Sequence, residues 1–225
     1  MNTPRSLRMA AAAGSALVVS AGLLLVNVAF AQSAPAKAAD TKADAAKSAN
    51  IDTVTVEGFD FPVTAQVGGQ RLALNGAGGS NILSVKATAV ALYLPSKATT
   101  PEAAFVMPGA KRITLVALRE LSARDLSSAL IDRIRQNATQ QEIESNVMQL
   151  AGLGGVFGTR RSLPKGSVVT IDYNPATKST EFRLNGTERL AEPIVGDSFF
   201  PMMMKVWLGP RIRPATRNAL LGIAS

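Results

Sequence analysis

The chain contains no histidine and no cysteine. Without an imidazole, a Ser-His-Asp triad, a histidine base and the usual histidine-bearing zinc sites are excluded. Without a thiol, thiolate catalysis and iron–sulfur ligation are excluded as well. Disulfides are impossible, so the hydrophobic core alone must hold the fold. No Gly-x-x-x-x-Gly-Lys-Ser/Thr loop is present, and no Gly-x-Gly-x-x-Gly follows a strand. The run Gly152-Leu153-Gly154-Gly155 follows a helical pattern and reads as a loop that ends it. No metal or cofactor is therefore expected. Catalysis, if any, is left to carboxylates, lysine or tyrosine, or to positioning and electrostatics.

The first residues carry Arg5 and Arg8 and no acid, and an apolar run from Met9 to about Phe30 ends in Ala29-Phe30-Ala31. Positive start, apolar middle and small-x-small end predict a secretory signal peptide over 1–31, cleaved after Ala31. The run is also long enough for an uncleaved membrane anchor. Periplasmic location is expected, with no transmembrane span after cleavage. Removing Arg5 and Arg8 lowers the formal net charge from +8 to +6. That surplus is diffuse, and no dense basic block carries interleaved aromatics, so nucleic acid is not an expected partner. Residues 32–50, mostly Ala, Lys, Asp, Ser and Thr, have nothing large to bury and read as a disordered linker. The folded domain is expected over 51–225.

Within it the pattern runs strands, helices, strands, helices. Thr53 to Glu57 and Arg71 to Leu74 read as short strands around a Gly68-Gly69 turn. Gly76, Gly78 and Gly79 read as a glycine-broken turn. A long strand follows from Ile82 to Leu94. Alternation puts Ala87, Ala89 and Ala91 on a thin face and Thr88, Val90, Leu92 and Leu94 on the other. A thin face admits a packed helix or a ligand close to the backbone. Lys111 to Leu118 is a further strand.

Ser122 with Asp125, and Thr139 with Glu142, mark two helix starts. Leu126, Leu130 and Ile134 repeat at helical spacing in the first helix; Ile143, Val147 and Leu150 do so in the second. Val168 to Tyr173 and Thr180 to Asn185 form a hairpin across 174–178, and Asn185-Gly186 is a second tight turn. Asp197 or Ser198 opens a helix through Trp207 that Gly209-Pro210 stops. A last helix runs from Pro214 to a glycine cap at Gly222. The fold class is α+β, a large antiparallel sheet with helices on one face.

Five elements in order resemble the bacterial chalcone isomerase-like family. They are Leu74-Asn75-Gly76-Ala77-Gly78, Ala91-Leu92-Tyr93-Leu94-Pro95, Leu118-Arg119-Glu120-Leu121-Ser122-Ala123, Trp207-Leu208-Gly209 and Leu220-Leu221-Gly222. The resemblance spans about Val54 to Gly222 and implies an open-faced β-sandwich with a cleft between sheet and helices. The plant isomerases of this fold place an arginine after the glycine turn to bind a developing oxyanion; here that place falls on Gly79 or Ser80, and Asn81 beyond it is uncharged. Their strand threonine is matched by Thr88. Their helix tyrosine and asparagine fall on Leu126 and Arg133, and a later serine or threonine falls near Val206.

Losing one oxyanion donor typically costs about 10²–10³ in rate. No catalytic residue is therefore assigned, and a non-catalytic member is expected. Arg133, beside Asp132 and Arg135, reads as an exposed residue on the wet face of its helix. Some relatives of this fold bind fatty acids, and Met202, Met203 and Met204 with Phe199, Phe200 and Trp207 offer an adaptable apolar lining. Binding of a hydrophobic small molecule or lipid is expected, neutral or weakly polar because the arginine is missing. The candidate ligand-binding residues are Thr88, Ser80, Leu126, Arg133, Met203 and Val206. Two alternatives stand beside this reading: an active intramolecular lyase or isomerase, and an envelope interaction module with a filled cleft.

Overall fold

A computed structural model describes residues 52–82 and 85–223. The expected signal peptide and linker lie outside the described residues. The elements run β1 (Thr53–Val56), β2 (Phe59–Pro62), β3 (Thr64–Val67), β4 (Gln70–Ile82), β5 (Val85–Leu94), α1 (Pro101–Val106), β6 (Lys111–Ala117), β7 (Leu121–Ser122) and α2 (Ala123–Asn137). They continue with α3 (Gln140–Ser145), α4 (Val147–Gly155), β8 (Ser162–Leu163), β9 (Val168–Asn174), β10 (Ser179–Leu184), β11 (Glu188–Arg189), β12 (Ile194–Val195), α5 (Phe199–Leu208) and α6 (Pro214–Leu220). One antiparallel sheet has the order β11-β10-β9-β6-β5-β4-β3, with β12 also on β10. It curls until β3 comes near β6 and β9.

The strand at its centre is apolar on both sides because both are covered. Val90, Leu92, Ile113, Leu115 and Phe182 pack against Leu126, Leu130 and Ile134 of α2 and against α5. On the reverse, Ala89, Ala91 and Tyr93 pack with Phe61, Leu72 and Val116. The small alanine face of β5 therefore receives side chains of β2 and β4. Ala87 joins the helix-side core instead, next to a register shift between Ser80 and Asn81. In α5 every residue except Pro201 and Lys205 is buried, and each such apolar side chain contributes about 1.5–3 kcal/mol relative to exposure.

Local signals account for most element ends. Ser122 Oγ accepts from the Asp125 N–H, and Thr139 with Glu142 forms a complete capping box. Gly68 and Gly69 both have positive φ, the geometry of a two-residue hairpin turn. Gly222, at φ 64, closes α6.

Three expectations need correction. The glycine segment is not a turn: Gly76, Gly78 and Gly79 lie inside β4, paired with β5. Their smallness admits α6, since a Cβ on Gly76 would sit 2.1 Å from the Ala219 carbonyl oxygen, and one on Gly78 2.5 Å from the Ala219 Cβ. The strand opposite Arg71 is β3, while β1 pairs with β2. The second helix is two helices. Asn146, buried between them, donates to the Glu142 carbonyl at 2.8 Å and accepts from Ser198 Oγ at 3.0 Å. α4 then runs through Gly152 and Gly154 to Gly155 rather than stopping before them.

Candidate functional site

Ser80 on β4 and Thr88 on β5 are cross-strand partners, and both are buried. The Thr88 hydroxyl donates to the Ser80 carbonyl at 3.5 Å, at the outer limit of a hydrogen bond. Arg133 reaches this pair from α2. Its Nη1 donates to Ser80 Oγ at 3.1 Å, and its Nη2 donates to the Asn81 carbonyl. The expectation of an exposed Arg133 is overturned. It lies on the edge of the stripe formed by Leu126, Leu130 and Ile134, one turn after Ala129, so its stem runs over the sheet rather than into solvent.

Further hydrogen bonds brace the backbone around Arg133. Asn137 donates to the Arg133 carbonyl at 2.9 Å and accepts the Arg211 N–H at 2.8 Å, tying α2 to the connection between α5 and α6. Gly209 makes room for it, because a Cβ there would lie 2.4 Å from Asn137 Oδ1. Thr216 of α6 donates to the Gly79 carbonyl at 2.8 Å. Sequence reasoning missed Asn137, although a buried polar position continuing an apolar helical stripe was the available signal.

The result is an open cleft of about 270 Å³ lined by Ser80, Asn81, Arg133, Arg211, Arg213 and Thr216, among others. Arg133's pKa is held below its ordinary value, first by burial and then by the like charge of Arg213. Among the described residues no carboxylate lies within ion-pair distance of Arg133, Arg211 or Arg213. Asp132, also in the lining, contacts Arg135 at 3.7 Å.

Behind Arg133 lies a second, apolar space bounded by Thr88, Leu115, Leu126, Leu130 and Trp207, among others. It measures about 10 Å³, at most the room of one water. Thr88, Ser80, Leu126 and Arg133 are thus brought together. Met203 and Val206 are not part of either lining; both are completely buried in the helix–sheet core.

Chemically, the arrangement offers fixed positive charge at a polar mouth and an apolar, closed interior. Its polar lining includes the Ser80 and Thr216 hydroxyls, Gln136 and Asp132, and among the described residues no hydrogen bond joins either hydroxyl to the Asp132 carboxylate. Arg133, Arg211 and Arg213 bring to the cleft the positive charge whose absence after the glycines underlies the expectation of a weakly polar ligand.

Similarity to known proteins agrees with this architecture. A family model described as chalcone isomerase-like matches residues 53–222. No curated protein matches the chain. Among solved structures, a fatty-acid binding protein of Arabidopsis thaliana superposes with a TM-score of 0.58 at 13% sequence identity, covering 76% of this chain and 96% of its own. At that identity the likeness concerns the fold. With the family model spanning the whole sheet and both C-terminal helices, this chain belongs to the chalcone isomerase-like family.

Proposed function

We propose that this domain is a non-catalytic binder of an amphipathic anion, a hydrophobic molecule whose acidic head sits at Arg133. The observation that carries the reading is that Arg133 and Ala129 line both the open cationic cleft and the closed apolar space behind it. A head in the cleft would point its tail at Leu126, Leu130 and Trp207. The tail enters by moving flexible side chains, since the interior beside it is rich in methionine and leucine. The fatty-acid binding protein of the same fold supports the ligand class. The N-terminal segment supports a periplasmic location for this binder, and the mature chain should begin at Gln32 when its mass is measured from a cell-envelope fraction.

Trp207, the single tryptophan of the chain, reports on the tail space directly. Titration with dodecanoate should change its fluorescence saturably, and Arg133→Ala should weaken binding about tenfold or more, the loss of one charge-assisted contact. Absence of any saturable change across saturated fatty acids of different length would remove the reading. Isomerase activity is not expected, because Leu126 and Arg133 stand where the resemblance to the plant isomerases places a tyrosine and an asparagine. Chalcone ring closure accelerated by the pure domain and lost in Thr88→Ala would restore the enzyme reading.

One observation favours a second reading. The closed interior also suits an interaction module in which only the cleft is used, for an acidic group on an envelope partner. Crosslinking through a photoreactive residue at Gln136 separates the two, since that reading requires one recurrent protein adduct.

A further inference from the structure

The cleft holds more positive charge than a single carboxylate can balance. Arg133, Arg211 and Arg213 converge on it from α2 and from the segment leading into α6, against one acid, Asp132. Three cations less one anion leave a formal charge of +2. Asp132 lies at 3.7 Å from Arg135, so even its charge is shared. Arg133 spends two of its donors on neutral oxygens, Ser80 Oγ and the Asn81 carbonyl. Those contacts orient the guanidinium without neutralising it. Arg112 and Lys205, by contrast, each have a carboxylate partner, Asp172 and Glu142, at 2.6 Å.

We propose that the head group selected by this cleft is a phosphate monoester rather than a carboxylate. A phosphate monoester carries about −1.5 to −2 charge at neutral pH and offers three strong acceptor oxygens. A carboxylate brings one charge and two oxygens. Only the phosphate matches a site of three guanidiniums and net charge +2, where planar N–H pairs favour bidentate recognition of phosphate. The repulsion between Arg133 and Arg213 is relieved by a dianion placed between them. Arg133 is fixed by β4, and the Asn137 hydrogen bond fixes the backbone of Arg211, so part of the site is organised before binding. The volume of about 270 Å³ accommodates the head together with its ester linkage. This inference rests on the binding reading above for its tail and on the cleft alone for its head. The phosphate can come from a lipid-like ester or from free phosphate, and the experiment distinguishes them.

The mature protein is titrated at low salt, below micelle formation, with dodecyl phosphate, dodecanoate, dodecanol and inorganic phosphate, followed by Trp207 fluorescence and calorimetry. Dodecyl phosphate should bind about tenfold more tightly than dodecanoate, the scale of one additional charge-assisted contact. That preference should shrink from pH 7.5 to pH 5, as the phosphate takes up its second proton near pH 6. Arg211→Ala and Arg213→Ala alter exposed residues and leave the core intact. They should reduce dodecyl phosphate affinity more than dodecanoate affinity. If dodecanoate binds as tightly as dodecyl phosphate, the phosphate inference fails while the binding function stands. If inorganic phosphate binds and no alkyl probe gains over it, the phosphate head stands and the tail reading fails. If no probe binds, both fall.

Discussion

Gly76 of β4 and Ala219 of α6 meet backbone to backbone: a Cβ on Gly76 would lie 2.1 Å from the Ala219 carbonyl oxygen and 2.7 Å from that of Leu220. Nothing flexible can give way there. Gly76→Ala should therefore cost more than the usual 1–3 kcal/mol or so of overpacking and displace α6. Gly155 is the contrasting case, since a Cβ there meets nothing within 4 Å. Gly155→Ala should be neutral or stabilise by up to about 1 kcal/mol, because alanine suits a helix better. Denaturant unfolding of both variants checks this; equal effects would mean that α6 does not dock on β4.

The alkaline behaviour should have two limbs of opposite sign. Burial holds the Lys111 pKa below its ordinary value, with the Tyr173 ring 5.5 Å away as its aromatic neighbour. The folded state then sheds this proton before the unfolded state does, so stability rises with pH up to about 10.4. Burial pushes Tyr93 up to about 12, with Arg112 opposing. Its contribution is complete below about pH 10 and is lost as pH rises through about 12. Melting curves of Lys111→Met should lack the first limb. Tyr93→Phe should soften the second without abolishing it, because Tyr173 is also raised to about 12, by burial and by its hydrogen bond to Asp197. Superimposable pH profiles for wild type and both variants would contradict the assignment.

What the sequence revealed was local in origin. The caps at Ser122 and Thr139, the Gly68-Gly69 turn and the hairpin at 174–178 each depend on neighbours a few residues away, and each is found where expected. The glycines of β4 were legible as unusual but not as a docking strip, because their reason lies in α6. The bond from Asn75 Nδ2 to the Leu220 carbonyl, 145 residues apart, belongs to the same distant contact. Arg133 was misread for a related cause. Its neighbours Asp132 and Arg135 are exposed and suggested a wet face, whereas its acceptors belong to β4, more than 50 residues earlier. The apolar stripe itself, extended to Ala129 and Asn137, held the missing clue.

Glu142 joins α3 to α5 and should control acid stability. It accepts the Thr139 N–H at 2.7 Å to cap α3 and takes both oxygens to Lys205 Nζ of α5 at 2.6 Å. Burial raises its pKa, but the Lys205 and Thr139 hydrogen bonds and the Lys205 charge together leave it below the ordinary value. Its contribution is present above about pH 4.3 and is lost as pH falls through the depressed folded value. Glu142→Ala should cost about 1–3 kcal/mol at pH 7 and much less at pH 3. A loss of the same size at both pH values would mean that the carboxylate charge is not involved.

The tail space makes the last prediction. Leu130 and Leu153 are both buried, but only Leu130 borders the space beside Thr88 and Trp207. Leu130→Ala and Leu153→Ala should each lose about 2–5 kcal/mol, the cost of a cavity in a packed core. Saturating dodecanoate should recover a larger share of that loss in Leu130→Ala, because a ligand that fills the new cavity binds the folded state alone and stabilises it by mass action. Leu153→Ala should gain no more than wild type does. Thermal unfolding with and without the fatty acid measures the difference. Equal rescue of the two variants would place the tail elsewhere, and the closed space behind Arg133 would then be ordinary core.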